Sequence, residues 1–185
     1  MDSSTELIRD FVNTLHKDLH GDEEGLSSPA ALAGWLAEHG LLEGGRATAR
    51  DVARAVELRE ALRRLLLAHN EVEVETASAW SALDEAARRG RVELRFADGG
   101  PRLVPAAAGV SGALGRIAAA VHEAVADGSW LRLKACRAED CEWAFVDHAR
   151  NQSRAWCSMR SCGNREKARA FRRRHADGTG ARQPV

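Results

Sequence analysis

Apolar residues recur at helical spacing through most of the first 130 positions. Leu7, Ile8, Phe11, Val12, Leu15 and Leu19 follow Ser and Thr cap candidates, which predicts an amphipathic helix over 4–20. Ser28-Pro29 offers an N-cap followed by proline at the first helical position. Leu32, Trp35 and Leu36 then form one apolar face before Gly40 stops the second helix. A third helix, the longest, spans 48–69 on Val52, Val56, Leu58, Leu62, Leu65 and Leu66, with Asp51 suited to its first turn. A fourth, over about 76–89, carries Trp80 and Leu83 and ends at Gly90. The period then drops to two: Val92, Leu94 and Phe96 alternate with Glu93 and Arg95. Asp98-Gly99-Gly100-Pro101 turns the chain and Leu103 and Val104 begin the return, a β-hairpin with one apolar face. A fifth helix, over 111–127, places Leu114, Ile117, Val121 and Val125 on one side and closes at Gly128.

Alternation returns beyond this point. Leu131, Leu133 and Ala135 interleave with Arg132 and Lys134, and Trp143 and Phe145 interleave with Glu142, Ala144 and Val146, so two short strands flank a turn. A final helix follows Cys162-Gly163-Asn164 to about 175. Gly128-Ser129 leads straight into this segment without a flexible linker, so the two parts are expected to pack. The fold class is therefore mainly α (α+β). A helical domain over 1–129 carries one small β-hairpin, and a small zinc-organised β-hairpin/helix module covers 130–176. The tail, 177–185, has no large apolar anchor besides Val185 and is expected to be disordered.

The metal expectation comes from Cys136, Cys141, Cys157 and Cys162, the only cysteines in the chain. They form two C-x4-C pairs separated by fifteen residues. Two short loops can each present a pair of thiolates to one tetrahedral ion, for which zinc is the expected choice. Four cysteines close the coordination shell, which makes the site structural and not catalytic. Disulfides and an iron–sulfur cluster remain as alternatives. A module this small buries too little apolar surface to fold well alone, so metal affinity becomes folding free energy.

The formal net charge of zero conceals a division. Residues 131–185 carry 13 basic and 6 acidic side chains, leaving the first 130 residues acidic. From Arg150 to Arg174 there are nine Lys and Arg against the single acid Glu166. On the last helix Arg165, Arg169, Arg172 and, at the edge, Arg173 line one side, while Ala168, Phe171 and His175 share the neighbouring side expected to pack. Such a stripe suits successive phosphates of DNA. Arg150, Asn151, Arg154, Arg160, Asn164 and Lys167 extend the candidate nucleic-acid surface. Three other readings stand beside it: a solvated face, docking of the basic segment on the acidic body, and arginines that offset the thiolates' excess negative charge.

These residues carry a resemblance. Cys136 to Cys141, the run Arg150-Asn151-Gln-Ser-Arg154, Trp156-Cys157-Ser-Met and Cys162-Gly163-Asn164-Arg165 are similar to the CGNR zinc-finger family. Phe11-Val-Asn-Thr14, the segment ending in Trp35-Leu36 and Leu58 to Leu66 resemble the ABATE domain usually found with that finger. The resemblance implies a bacterial, stress-induced transcription regulator in which the finger binds DNA and the helical domain senses a small molecule. It also assigns all four cysteines to one zinc ion. One departure is Ala149, where the family pattern leads one to expect a serine hydroxyl for a phosphate or capping contact.

Asn13 lies opposite the apolar stripe of its helix and Thr14 at its border. With Arg59 and Trp35 they are candidates to border a ligand pocket, the alternative being ordinary surface polarity. No run approaches the length of a membrane span, and the N-terminus lacks a basic, then apolar, leader, so a cytoplasmic protein with no membrane partner is expected. No acid–base pair, activated nucleophile or glycine-rich phosphate loop stands out in 1–130, which argues against an enzyme. A homodimer reading two half-sites is a further expectation. Binding of RNA or of an acidic protein surface is the alternative to DNA.

Overall fold

The computed structural model describes residues 4–17 and 21–177. The body begins with α1 (Ser4–Val12), a small ribbon of β1 (Leu15–His16) and β2 (Glu23–Glu24), α2 (Pro29–Glu38), α3 (Ala49–Ala68) and α4 (Ala77–Gly90). The hairpin β3 (Val92–Ala97) and β4 (Gly100–Pro105) and helix α5 (Gly109–Ala126) complete it. A 3-10 turn, Trp130–Arg132, leads into β5 (Leu133–Ala135) and β6 (Ala144–Val146), then a π-helical turn, Met159–Gly163, and α6 (Asn164–Asp177). Each sheet is an antiparallel pair, so the fold is mainly helical with small β elements.

Local chemistry sets most boundaries as expected. The Ser28 hydroxyl accepts from Ala31 N at 3.1 Å with Pro29 opening α2. Thr48 and Asp51 form a reciprocal capping box at the start of α3. At α4 the cap is Arg91, held at φ 49°, and not Gly90. Gly90 is the helix's last residue, and a Cβ there would lie 2.6 Å from the Gly115 Cα. The two glycines let α4 and α5 cross at backbone contact, a packing role that a helix-stop reading overlooks. On α5, Val125 is exposed instead of joining the apolar face.

The first helix stops short of its predicted length. It ends at Val12, and the following residues form β1 instead of two further turns. The Val12 carbonyl accepts a hydrogen bond from Arg63 Nη2 at 2.8 Å, and the Thr14 hydroxyl donates to Phe11 O. Leu15 sits in β1, and Leu19, the last residue of the expected stripe, lies outside the described residues. Arg59 and Arg63, both buried on α3, make this rearrangement possible. Arg59 chelates both oxygens of Glu24 at 2.6 and 2.8 Å, pinning the β1–β2 ribbon to the helix. Glu60 bridges the two guanidinium groups at 2.8 and 3.0 Å.

The main core joins the apolar faces of α1 to α5 and continues through Trp130, Leu133, Ala135 and Ala144. The C-terminal hairpin is thus built onto the body, in line with the missing linker. A second, smaller cluster gathers Ala138, Phe145, Trp143 and Trp156 around the cysteines. Leu131, which the alternation assigned to a strand, lies in the 3-10 turn and is exposed. Most of the expected tail, 178–185, lies outside the described residues, whereas Asp177 closes α6. Among the described residues no helix is long and apolar enough to cross a membrane.

Candidate metal centre and nucleic-acid interface

Each cysteine pair sits on a tight loop. After β5, Cys136 N donates to Trp143 O and Cys141 N to Ala138 O, and Glu142 at φ 46° swings the chain into β6. In the second pair Cys157 precedes the π-helical turn and Cys162 lies within it, and the turn's start is capped by the Ser158 hydroxyl accepting from Ser161 N at 3.3 Å. The four sulfurs lie within 4.8 Å of one another, with Cys141–Cys157 and Cys157–Cys162 each at 3.6 Å. A tetrahedral ion at about 2.3 Å from each sulfur requires edges of about 3.8 Å, so the sulfurs fit one four-coordinate ion. They do not fit disulfides, whose sulfurs approach to about 2.05 Å, and all four thiols are free.

Crowded sulfurs cannot all ionise unaided. The Cys136 thiol is pushed down to about 2 by hydrogen bonds from Cys141 and Cys157, while Cys141 rises to about 12 because it donates to Cys136. Cys157 is pushed up by its bonds to Cys136 and Cys141. Central positive charge is what would let all four become thiolates together.

The tetrapeptide from Cys162 to Arg165 has a physical reading residue by residue. Cys162 supplies a sulfur. A Cβ on Gly163 would lie 2.7 Å from Met159 Sδ and 3.1 Å from Trp156 Cδ1, so any larger residue must displace the Met159 side chain and press on Trp156. The Asn164 amide donates to Arg160 O at 3.3 Å. Arg165 reaches back to Cys162 Sγ at 3.6 Å and to Asp140, between the first pair of cysteines, at 2.8 Å. Arg169 adds bonds to Asp140 at 2.6 Å and to Glu166 at 2.5 Å. Burial alone would raise the Asp140 carboxyl, yet the hydrogen bond from Arg169 and the charges of Arg165 and Arg169 hold it below the usual range.

The faces of α6 therefore differ from the wheel expectation. Arg165 and Arg169 turn inward to latch the helix onto the first cysteine loop, whereas Ala168, Phe171 and His175 are exposed. Phe171 retains 55% of its surface and stacks on His175 at 3.9 Å. The reason is Asp140, an acid 25 residues upstream that the helix alone does not reveal. Arg165 instead meets the reading of an arginine that offsets thiolate charge. Of the other candidates, Arg154 lies 4.9 Å over the Phe145 ring and donates to the Trp156 and Cys157 carbonyls, which ties down the second pair. The Asn151 side chain accepts from Ser153 at 2.9 Å. Arg150, Arg160, Lys167, Arg172 and Arg173 are exposed, as is Arg174, and none makes an ion pair among the described residues.

Asp147 anchors the loop between β6 and the second cysteine pair. It is fully buried, and its carboxylate accepts from Lys134 Nζ, Ala149 N and Arg154 N, all at 2.9 Å. Burial would raise this carboxyl, but those donors hold it below the ordinary range. The loop at Ala149 is thus capped by Asp147 through backbone N–H, with no hydroxyl needed there.

The ligand candidates are placed largely in packing roles. Arg59 is buried on Glu24 and Glu60 and donates to the Thr14 hydroxyl at 3.3 Å. Trp35 stacks on His39 at 3.9 Å and meets Phe11 at 5.3 Å. Asn13 turns to the cysteine module, where its amide donates to Ala144 O at 3.0 Å and accepts from Ala144 N at 2.8 Å. Further bonds cross the same seam. Asn70 donates to Ala135 O at 2.7 Å and Ala155 O at 2.9 Å, Arg63 to Glu142 O at 2.9 Å, and His69 Nδ1 meets Leu133 O at 2.9 Å. Single polar residues on helix faces gave no signal of partners more than sixty positions away.

Comparison with known families matches residues 6–128 to the ABATE family, described as "putative stress-induced transcription regulator", and residues 132–175 to the CGNR zinc finger. No curated protein matches the chain. The finger match, with the sulfur geometry, identifies the ion held by Cys136, Cys141, Cys157 and Cys162 as one structural zinc.

Proposed function

The chain belongs to the ABATE family and carries a CGNR zinc finger, and from that membership we propose that it is a cytoplasmic, non-enzymatic transcription regulator that binds DNA through the finger. The observation carrying this reading is the division of labour among the basic residues. Arg165 and Arg169 are consumed by Asp140, while Arg150, Arg160, Lys167, Arg172, Arg173 and Arg174 stand exposed on a module fixed by metal and by the body. Exposed, unpaired cations on an anchored module are available to successive phosphates, and released counterions drive the association. Duplex DNA is favoured over single-stranded RNA because Trp143 and Trp156 pack against the cysteine cluster and are not presented as stacking platforms. A salt-titrated binding assay with duplex DNA and single-stranded RNA tests the reading. Equal affinity of the parent and an Arg172→Ala, Arg173→Ala, Arg174→Ala variant for duplex DNA would refute it.

A small-molecule response of the body is supported by an open cleft of about 920 Å³ lined by Leu7, His39, Leu42, Pro105, Gly112 and Arg116. This cleft replaces Asn13, Thr14, Trp35 and Arg59 as the place to seek a ligand. Thermal-shift screening of a metabolite panel, with Arg116→Ala as control, tests it; a panel without a hit that depends on Arg116 counts against the cleft.

A further inference from the structure

The β3–β4 hairpin stands out from the body and leaves an apolar surface in solvent. Phe96 is 81% exposed, and Leu94 on the same face is exposed as well, while Val104 is exposed on the opposite face beside Glu93. The register pairs Ala97 with Gly100 across the two-residue turn Asp98-Gly99, and Ala106 N donates to Arg91 O at the other end. Counting inward from both ends, Arg91, Glu93, Arg95 and Ala97 point their backbone groups at β4. Val92, Leu94 and Phe96 point theirs outward. On β4 the outward positions are Pro101, Leu103 and Pro105, so two of three outward donors are missing. The hairpin therefore has one sealed edge and one open edge, and among the described residues no backbone group pairs with the open one.

We propose that the outer edge of β3 pairs antiparallel with β3 of a second copy of this chain, about a twofold axis at Leu94. The charge pattern selects this occupant. Centred on Leu94, the pairing sets Glu93 of each copy opposite Arg95 of the other, and Val92 opposite Phe96. Both directions give attraction, and both give an aromatic–β-branched pair. Val92, Leu94 and Phe96 each donate and accept one new backbone bond, and the two apolar faces join into one. Within a single copy the register places Arg95 directly opposite Arg102, and its own Glu93 offsets this at 2.6 Å; the second copy's Glu93 brings a further carboxylate to the same pair of cations. The surface is isologous, as closed dimers require, and it does not rest on the DNA reading.

The test uses the full-length zinc-loaded protein in sedimentation-velocity runs over a concentration series. Wild type is expected to show a concentration-dependent monomer–dimer equilibrium. Glu93→Arg and Arg95→Glu, both at solvent-accessible positions, are each expected to raise the dimer dissociation constant by about tenfold or more, because two symmetric pairs turn repulsive. Mixing the two variants is expected to restore a one-to-one heterodimer. Each variant has lost its own 93–95 ion pair, so only contact between chains can produce this rescue. Leu94→Pro removes an outward donor while sparing the ladder to β4 and is expected to leave a folded monomer by circular dichroism. Wild type that stays monomeric throughout, a dimer indifferent to Leu94→Pro, or single variants that do not recombine would each overturn the proposal.

Discussion

Asn13 and Ala144 are joined by two reciprocal bonds: the side-chain amide of one donates to and accepts from the peptide groups of the other, at 3.0 and 2.8 Å. The pair joins the end of α1 to β6, immediately beyond the first cysteine loop. Replacing Asn13 with Ala leaves both Ala144 groups without this partner. The expected loss is about 1–3 kcal/mol of stability, measured as a lower denaturant midpoint. Asn13→Asp, which cannot donate to Ala144 O when ionised, is expected to lose at least as much.

Metal removal should act first on the finger. A strong chelator is expected to extract one zinc per chain, and hydrogen exchange should then show lost protection in α6 and both cysteine loops while α3 and α5 keep theirs. Uniform loss across the chain would mean instead that the body depends on the metal to the same degree.

The two sets of arginines should separate experimentally. For the Arg172, Arg173 and Arg174 triple alanine variant, the slope of log affinity against log salt is expected to fall by up to about 3, with little change in melting temperature. For Arg165→Ala with Arg169→Ala, the melting temperature and zinc retention should drop, because Asp140 loses the partners that hold its charge.

How far these features could be read in the sequence depends on the range of the interaction that fixes them. The cysteines were legible because their spacing encodes the site, helices α2 and α3 because caps and apolar period agree locally, and α4 and α5 from the apolar period alone, since neither has a side-chain N-cap. The end of α1 was not, because the Val12 carbonyl is claimed by Arg63 from a different helix. The inward turn of Arg165 and Arg169 was hidden for the same reason: charge on a wheel says nothing of an acid on another loop. The anchoring role of Asp147 leaves no mark in the sequence because two of its three donors are backbone N–H groups, invisible to composition.

His69 predicts a pH dependence. Burial chiefly, and the charge of Lys134, hold its pKa below 6.5 against the opposing Leu133 carbonyl. Because the folded value is lowered, the unfolded chain binds more protons between that value and 6.5, and stability rises with pH through this window. Acidification below pH 6.5 should therefore destabilise the parent more steeply than His69→Gln, as followed by denaturant midpoints at stepped pH. Parallel curves would contradict the assignment.

Gly163→Ala should overpack the turn against Met159 and Trp156, with an expected cost of about 1–3 kcal/mol. Truncating Met159 to Ala in the same chain is expected to recover part of it, which calorimetry of the single and double variants can check.

Pro101 and Pro105 carry a consequence for stoichiometry. A hairpin open at both edges is a template that can be copied without limit, and each added chain offers the next one a fresh edge. Here the β3 edge is open and the β4 edge is blocked, so association of the proposed kind would end after a single addition. The two prolines thus act as chain terminators, allowing an apolar hairpin to remain exposed in the monomer without seeding a fibre.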